Sequence, residues 1–552
     1  MTLAIHYAST GTKSSGEILG IDVAVDSLVR AWFRYGGQER FLYLPASVQS
    51  SAHFQQLAQE EGIDAKARCI GLDPRTPQHS LRTISCLFQP DPLLSDLAWR
   101  RGQVKGEGFA LCGLVHTLSG SQIAAAVSNL SIAPVDGCDA LICTSRAAKS
   151  AVENLWAIHD DYLNQRFGSS FRCPVQTPII PLGIDTRRVA AKTTPERRKA
   201  QRQALGIGDD ESVILFVGRL NFISKAHPLP LMMAAEKAAA RSRRKLHLVF
   251  YGSFSPGDMA ARFKNLARDF CRTVSCDFIA NDGPHFPDVP WAAADIFASL
   301  VDNVQESFGL TPLEAMAAGL PVVASDWDGY RDTVRDGIDG LLVKTLMPPA
   351  AAGQEIAQLF FDERDYGAYL VGAAQSTALD IEQAAQALAV LADDDERRLS
   401  MGNAGRARAE ETYDWSVIIP TYKALWDELA QGRRAARADT PFLARGPAAH
   451  PAFPNPFAMF DAHPSDILDP ADRLEAVMTE EDARLLLRHD MNLFVPGLLP
   501  GPENLLALAE MIRQSRTLSI GEILARYAAA EQPRVWRGVG WLLKHGVCVR
   551  AR

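Results

Sequence analysis

Short apolar runs alternate with longer amphipathic segments through most of the chain. Residues 2–8, 109–115, 212–217 and 246–251 are apolar enough for strands buried on both faces, and a segment with helical periodicity follows each. A strand followed by a crossover helix is the repeating unit of a parallel sheet. We therefore predict an α/β fold with two such sheets, joined near residue 185.

The clearest unit of strand, loop, helix and strand lies between residues 294 and 324, with its helix predicted over 311–318. Thr311 to Glu314 has the form of a capping box with proline at the first helical position, so we expect the helix to begin there. Gly309 lies just before it. Because a glycine allows close approach and a helix N-terminus attracts anions, this segment predicts a binding site for a diphosphate.

Two carboxylates eight residues apart, Glu306 and Glu314, flank this predicted anion site. Carboxylates accept hydrogen bonds from sugar hydroxyls but repel phosphates. A nucleoside diphosphate-sugar needs both kinds of contact, one set for its phosphates and another for its two sugars. The alternative, from these residues alone, is that Glu314 only caps its helix and Glu306 is solvated.

Residues 306–343 closely resemble the donor-site signature of retaining glycosyltransferase family 4. The shared features are two glutamates separated by seven residues, a helix of small residues, Gly-x-Pro-Val and a loop containing glycine. One departure is Asp332, where the family usually carries glutamate. The resemblance covers roughly residues 1–431 and is weakest over 40–105. It implies the GT-B architecture, in which two Rossmann-like, doubly wound parallel-sheet domains face each other across a cleft.

Two loops after predicted strands carry further side chains that match the family. Arg219 and Lys225 follow the strand at 212–217, where two cations would neutralise a diphosphate and stabilise its developing charge. His116 follows the strand at 109–115, at the sheet edge where ligands bind in open α/β folds. Without the resemblance, the cations would be interpreted as solvated and the histidine as structural. With it, His116 is expected close to the transferred sugar.

A glycine-containing loop over residues 9–20 follows the first predicted strand. In the family such a loop faces the donor and the acceptor, and Gly16 fits that position loosely; an ordinary strand-to-helix turn is the alternative. The resemblance thus implies catalytic residues and donor-binding residues. The catalytic set is His116, Arg219, Lys225 and Glu306, and the donor-binding set is Gly16, Phe308, Gly309, Leu310, Thr311 and Glu314.

We expect neither a cofactor nor a metal ion, with the nucleoside diphosphate-sugar as donor substrate. Asp326 and Asp328 have the Asp-x-Asp form that binds a divalent cation in the other major glycosyltransferase fold. Here they follow the paired-glutamate helix, a context that resembles the metal-free GT-B loop. No carboxylate nucleophile emerges from the sequence, so the default is a front-face reaction in which the departing phosphate takes the acceptor proton.

The composition is that of a globular protein with several domains. Of its 552 residues 47% are hydrophobic, and the net charge of −8 argues against a protein that coats nucleic acid. Nine cysteines lie scattered without metal-binding spacing, which suggests reduced thiols in a cytoplasm. We see neither a signal peptide nor a stretch of membrane-spanning length, so we expect a cytoplasmic protein whose membrane contact, if any, is peripheral at the inner face.

Five segments are predicted: an acceptor-side domain (1–185), a donor domain (186–414), a helix packing back on the first domain (415–431), a Pro- and Ala-rich linker (432–470) and an accessory domain (471–552). In the last, helices over 471–488 and 504–513 precede an order of helix, turn, helix and strand that resembles a winged-helix domain. Its candidate recognition helix carries Arg534, Arg537 and Lys544, a weak nucleic-acid signal. We favour protein docking or acceptor presentation.

The prediction is a retaining glycosyltransferase that moves a sugar to an unidentified glycan, lipid-linked glycan or protein. One alternative is a nucleic-acid-binding regulator whose GT-B body acts as a sensor. Another keeps the fold but performs sugar phosphorolysis or nucleotide-sugar epimerisation. The presence of all the matching charged residues favours the transferase, because a sensor would not need every one of them.

Overall fold

The computed structural model describes residues 2–9, 20–73, 80–102, 104, 108–118, 120–281, 288–359, 366–436, 454–493, 495 and 497–551. The chain forms two compact units, Met1–Pro451 and Ala452–Arg552. No helix within the described ranges combines the length and the apolar character that crossing a bilayer requires.

The first sheet of the larger unit contains six parallel strands in the order β3-β2-β1-β4-β5-β6. These strands are Leu3–Tyr7 (β1), Phe41–Pro45 (β2), Cys69–Gly71 (β3), Cys86–Gln89 (β4), Ala110–Val115 (β5) and Ala140–Cys143 (β6). Every side chain of β4, β5 and β6 is buried, because helices cover both faces of the sheet.

The second sheet repeats this topology, with the order β12-β11-β10-β7-β8-β9. Its strands are Ser212–Val217 (β7), Leu246–Tyr251 (β8), Ser275–Ile279 (β9), Ile296–Ser299 (β10), Val322–Ser325 (β11) and Gly340–Val343 (β12). Read from β9, the order is 3-2-1-4-5-6, the doubly wound order of dinucleotide-binding folds. The prediction of two Rossmann-like parallel sheets is confirmed.

Helices connect the strands of both sheets, and their ends follow local chemistry. The helix Pro195–Leu205, for example, begins where Thr194 accepts a hydrogen bond from Arg197 N and ends at Gly206, whose φ is +67°. The other α-helices of this unit are Gly20–Tyr35, Val48–Glu60, Ala65–Arg68, Ser95–Arg101, Ser121–Ser128, Arg146–Phe167, Thr186–Ala190, Pro228–Ala239, Met259–Phe270, Leu310–Ala317, Tyr330–Thr333, Gln354–Gln358, Tyr366–Gln375, Ile381–Asp393, Asp395–Arg408 and Trp415–Ala436.

The helix Trp415–Ala436 follows the second sheet in sequence but packs on the first. Trp426 lies 5.1 Å from Phe88 of β4, centroid to centroid, and Trp415 Nε1 donates to Ser27 Oγ at 2.7 Å. Trp426 is almost fully buried in this position. Large buried aromatic contacts of this kind stabilise packing strongly, so the helix fastens the end of the second domain to the first.

The smaller unit has its own hydrophobic core, which includes Leu474, Leu505, Val539 and Trp541. Its sheet has the antiparallel order β16-β15-β17, formed by Arg473–Ala476 (β15), Leu518–Ser519 (β16) and Cys548–Arg550 (β17). The two remaining labels belong to short strands of the larger unit, Thr345–Leu346 (β13) and Ala378–Leu379 (β14), which pair antiparallel with each other. The smaller unit's α-helices are Pro456–Met459, Glu480–Leu487, Pro502–Gln514, Ile520–Leu524 and Gln532–Lys544.

The prediction of a helix over 471–488 is therefore wrong for the first half of that range, which forms β15 between β16 and β17. Backbone pairing with two strands outweighs the helical propensity of these residues. Arg534 and Lys544 are exposed on their helix, whereas Arg537 donates to the carbonyl of Leu498 at 2.7 Å. The winged-helix assignment stays a prediction.

Candidate active site

Three loops meet where the strands of the second sheet end. They follow β7, β10 and β11 and comprise residues 218–227, 300–309 and 326–329, because parallel neighbouring strands deliver their carboxyl ends to one edge. Close approach here depends on glycine: a Cβ on Gly252, just after β8, would lie 1.9 Å from the carbonyl oxygen of Gly218. The edge is therefore densely packed and positions its side chains closely.

The loop after β7 brings Lys225 against Glu306 of the loop after β10. Lys225 Nζ lies 3.2 Å from Glu306 Oε2, and the two side chains are 31% and 15% exposed. Residues 81 positions apart in sequence thus form one ion pair at the sheet edge. Partial burial strengthens such a pair relative to a surface one, and the exposed remainder leaves the ammonium accessible to an anion.

The helix after β10 begins one residue earlier than predicted. It spans Leu310–Ala317, with Gly309 at its N-cap at φ +82°, and no described side chain caps it. The predicted capping box from Thr311 to Glu314 is therefore wrong. The reason is tertiary: a Cβ on Gly309 would lie 2.0 Å from the Tyr330 ring, so glycine alone fits and supplies no capping side chain. The uncapped N-terminus suits an anion.

Glu314 and Tyr330 lie around the first turn of this helix. Glu314 is half-buried, and burial raises the pKa of its carboxyl to about 7, although Lys192 counteracts part of this effect. The Tyr330 hydroxyl lies 3.0 Å from Ser299 Oγ and beside Thr311, and burial raises the pKa of this phenol well above its usual range. Tyr330 is therefore a neutral, hydrogen-bonded side chain whose ring packs against Gly309.

Asp328 has an unusual backbone conformation and a carboxyl with a raised pKa. Its φ is +44°, a conformation that Asp tolerates better than most residues. Burial raises the pKa of its carboxyl to about 8, with the nearby charge of Glu306 adding to the effect, while Ser145 Oγ donates to it at 3.3 Å. Near neutral pH the protonated form dominates, so Asp328 can itself donate a hydrogen bond.

The loop containing Glu306 also contacts the first sheet. Ser307 Oγ donates to the carbonyl of His116 at 2.6 Å, and the Ser307 carbonyl accepts from Ser145 Oγ at 3.0 Å and Thr144 Oγ1 at 3.3 Å. Ser307, Thr144 and Ser145 are buried. The loop after β10 is thus bonded to the ends of β5 and β6, which places the carboxyl edges of the two sheets face to face.

A second link between the sheets uses Asp332, the position that departs from the family pattern. Its carboxylate accepts from the Arg146 backbone amide at 2.6 Å and pairs with the Arg146 guanidinium. Arg146 is the first residue of the helix Arg146–Phe167, whose N-terminus favours a carboxylate. The shorter Asp side chain is therefore accommodated by a helix end.

Most of the predicted site residues that the structure describes lie at one sheet edge. Lys225, Glu306, Gly309, Leu310, Thr311 and Glu314 lie on the loops and helix of one sheet edge, and His116 joins them through its carbonyl contact with Ser307. Burial lowers the pKa of His116, so its imidazole is neutral at pH 7. Phe308 is buried toward Tyr413, which leaves its backbone, not its ring, for a ligand. Gly16 lies outside the described residues.

Arg219 is half-buried at the end of β7 and borders the same small cavity as Ala226 and His227. It therefore lies at the predicted edge, in the same loop as Lys225. The Asp-x-Asp pair is split: Asp326 accepts from Arg331 at 3.1 Å while Asp328 turns toward Ser145. Within the described ranges, no three His, Cys, Asp or Glu side chains cluster to bind a metal ion.

Sequence reasoning missed Asn303, Ser145 and Ser307. Asn303 is fully buried at the end of β10 and contacts the loops after β7 and β11. An amide four residues after the end of a buried strand was the available signal, since a buried group of this kind needs hydrogen-bond partners. Ser145 could have been suspected as a helix cap but not as a contact between domains.

Two solved structures share the fold of this chain. The Anabaena protein HepE, solved in complex with UDP, aligns with 77% of this chain and 100% of its own, at 15% identity and a TM-score of 0.50. A glycosyltransferase from Rickettsia africae aligns with 78% of this chain and 98% of its own, at 13% identity and a TM-score of 0.50. At these identities the likeness concerns architecture alone.

Curated relatives extend the likeness to sequence. D-inositol 3-phosphate glycosyltransferase of Rhodococcus opacus is 31% identical over 372 residues, which cover 62% of this chain and 78% of the relative. The enzyme of the same name from Geodermatophilus obscurus is 35% identical over 175 residues, which cover 31% of this chain. For that relative and four others, the chain spans only 36% to 58% of their length.

The profile of the family described as "Glycosyl transferases group 1" matches residues 197–377, which include β7 to β12 and the three loops of the site. The predicted resemblance to a glycosyltransferase is thereby confirmed. The alignment with the Rhodococcus opacus relative, at 31% identity over 78% of that relative's length, supports the same family. The chain therefore belongs to the group 1 glycosyl transferases.

Proposed function

We propose that this protein transfers a sugar from a nucleoside diphosphate-sugar to an acceptor hydroxyl with retention of configuration. The observation that carries the proposal is the Lys225–Glu306 pair, at 3.2 Å, beside the uncapped helix that begins after Gly309. A cation and free helix amides suit the diphosphate, and a neighbouring carboxylate suits the sugar hydroxyls. These three features lie at the carboxyl edge of a Rossmann-like sheet, where such ligands bind.

In the proposed reaction, Lys225 and Arg219 bind the diphosphate and stabilise the charge that it gains as the bond to the anomeric carbon breaks. The helix amides near Leu310 assist from the other side. Glu306 orients the transferred sugar and Glu314 the ribose, while His116 lies across the cleft near the sugar. These roles follow the resemblance to family 4 and are supported by the placement of the residues at one edge.

The retaining course is proposed as a front-face substitution. The bond between the anomeric carbon and the phosphate oxygen breaks, the acceptor oxygen bonds to the same face, and its proton passes to the departing phosphate. Charge balance is maintained without a metal ion because Lys225 and Arg219 are cations. Support comes from the pairing of Glu306 with Lys225, which leaves that carboxylate poorly suited to act as a nucleophile.

The acceptor is proposed as a small phosphorylated polyol in the first instance. The alignment with one relative covers 78% of that relative's length, and the relative is named D-inositol 3-phosphate glycosyltransferase. D-inositol 3-phosphate is therefore the first acceptor to test. Glycans, lipid-linked glycans and proteins, the acceptors expected from the sequence, are tested after it.

A binding screen and product analysis test the proposal together. UDP and other nucleotides are first screened by thermal shift, and a ligand at about 100 times its Kd should stabilise by roughly 2.7 kcal/mol. Nucleoside diphosphate-sugars that contain the stabilising nucleotide are then incubated with each acceptor and the protein. NMR assigns the anomeric configuration of the product. An α-donor should give an α-linked product. A β-linked product would overturn the retaining course, and sugar 1-phosphate or an epimerised donor would indicate the phosphorylase or epimerase alternatives.

A further inference from the structure

Asn303 is a fully buried amide at the carboxyl end of the second sheet. Its Nδ2 donates to the carbonyl of Ile223 at 2.8 Å, and its Oδ1 accepts from Gln305 N at 3.0 Å. Its own carbonyl accepts from Trp327 Nε1 at 3.1 Å. One residue therefore contacts all three loops of the site, which come from β7, β10 and β11.

The contact with Ile223 controls the loop that carries Lys225. Both peptide groups of Ile223 are bonded, its N–H to Asn221 Oδ1 at 2.7 Å and its carbonyl to Asn303. Lys225 follows two residues later, and its amide donates to the Asn221 carbonyl at 3.1 Å. The backbone from which Lys225 projects is thus fixed by two asparagines.

The contacts on the other side of Asn303 control the loop that carries Glu306. Gln305 N bonds to the Asn303 side chain, and Glu306 N bonds to the Asn303 carbonyl at 3.3 Å. Only a planar amide offers a donor and an acceptor at this spacing while remaining neutral. A carboxylate would keep the acceptor but place a second oxygen against the Ile223 carbonyl.

We propose that Asn303 is a positioning residue that sets the spacing of Lys225 and Glu306 and so the affinity of the site for a diphosphate. This inference rests on the proposed function and assigns a role to a residue that contacts no ligand itself. Buried, hydrogen-bonded amides make rigid links, and displacement of a binding group by about 1 Å lowers activity about 100-fold. The 3.2 Å separation of Lys225 Nζ and Glu306 Oε2 is the geometry that Asn303 maintains.

The test is a double-mutant cycle on full-length protein, with UDP and UMP affinities measured by calorimetry. Lys225→Ala should weaken UDP binding about 10- to 100-fold, the value of one charge-assisted hydrogen bond, and leave UMP nearly unaffected. Asn303→Asp should weaken UDP binding roughly tenfold, again sparing UMP, because the displaced loop loses much of the same bond. The double variant should bind UDP no more weakly than Lys225→Ala, since Asn303 acts through Lys225.

Asn221→Asp is the matched control. It makes the same change in the loop that carries Lys225 but preserves the acceptor for Ile223 N, losing only its donation to Ser255 Oγ. It therefore reports the effect of an added charge without the loss of the Ile223 carbonyl contact. UDP affinity near that of the wild type is expected for this variant.

The outcomes separate the inference from the proposed function. Additive losses in the cycle, or equal losses of UDP and UMP affinity in Asn303→Asp, would overturn the positioning role. Lys225→Ala with unchanged UDP affinity would instead overturn the diphosphate site and the inference with it. If Asn303→Asp fails to fold, Asn303→Ser provides the same test, because its hydroxyl can accept from Gln305 N without reaching Ile223.

Discussion

At the scale of single residues, the carboxyl groups of the site differ in their electrostatic surroundings. Glu306 is paired with Lys225, whereas Glu314 and Asp328 have pKa values raised by burial to about 7 and about 8. A carboxyl that is partly protonated at neutral pH can donate a hydrogen bond that a carboxylate cannot. The two glutamates of the signature are therefore not equivalent, although the sequence presents them as a pair.

This difference predicts separate kinetic effects for the two glutamates. Glu314→Gln should mainly raise the Michaelis constant of the donor, because a ribose contact is equal in the ground and transition states. Glu306→Gln should mainly lower kcat, by roughly 100-fold, because a contact with the transferred sugar strengthens in the transition state. Steady-state kinetics of both isosteric variants checks this. The reverse pattern would mean that the donor binds in the opposite direction along the helix.

Asp328 predicts a pH-dependent stability. Its folded pKa of about 8 lies above the ordinary value of 3.8, so the folded protein binds the proton more tightly than the unfolded chain. Relative to Asp328→Asn, the wild type should therefore lose stability as pH rises from about 4 to about 8, by at most about 1.4 kcal/mol per pH unit. Partial exposure of the side chain to solvent reduces the total change in stability over this pH range.

Denaturant unfolding of both proteins at several pH values measures the difference. Below about pH 4 and above about pH 8 the gap between them should be constant, because the carboxyl then has the same protonation in both states. A gap that does not change between pH 4 and 8 would contradict the burial of Asp328.

At the scale of elements, the helix Leu310–Ala317 and the loop before it position most of the predicted site residues. The strands β10 and β11 lie on either side of this helix, where the apolar runs predict them, but the helix begins one residue earlier than predicted. The position of Gly309 against Tyr330, not the Thr–Pro–x–Glu pattern, sets where the helix begins. Tertiary packing here overrides a local capping preference.

Gly309→Ala should destabilise the protein by about 2–5 kcal/mol, the sum of left-handed backbone strain and overpacking against Tyr330. Gly337→Ala is the control, because it has a similar φ of +76° but nothing within 4 Å of its Cβ. That change should cost only the strain, about 1–2 kcal/mol. Equal losses in melting temperature for the two variants would show that the Tyr330 contact is unimportant.

The contacts of Ser307 with the ends of β5 and β6 predict coupled motion of the two sheet edges. Ser307→Ala removes the bond to the His116 carbonyl but keeps the backbone contacts with Thr144 and Ser145. It should therefore cost about 1 kcal/mol and lower hydrogen-exchange protection of residues 114–118 together with residues 303–309. Ser212→Ala removes a buried hydroxyl contact within the second domain only, with the Ala392 carbonyl at 3.4 Å. Its exchange pattern should be unchanged at residues 114–118. Loss of protection confined to 303–309 in Ser307→Ala would argue against the coupling.

At the scale of the whole molecule, the chain consists of two units with separate hydrophobic cores. Every described residue that we place in the donor site precedes Val343, and the helix that fastens the second domain to the first ends at Ala436. We therefore expect donor binding to need only the larger unit.

A protein that ends at Ala436 should keep its UDP affinity and lose one of two thermal transitions, since a unit with its own hydrophobic core can fold alone. Calorimetric scans and UDP titrations on the full-length and shortened proteins measure both quantities. We also expect loss of transfer to the native acceptor, which the accessory unit is predicted to recognise. Unchanged acceptor kinetics would limit residues 452–552 to a supporting role, and sequence-dependent duplex DNA binding by them would revive the regulator alternative.

The sequence by itself determined the two parallel sheets, because runs such as 212–217 and 246–251 can be buried only between layers of helices. It also placed Lys225, Glu306 and Glu314 at one edge, since parallel strands deliver their following loops to the same side. The start of the helix after Gly309, the role of Asn303 and the links from Ser307 to His116 were decided only by the tertiary structure. Each depends on partners 21 to 191 residues away in the chain, a distance over which local propensity and spacing carry no information.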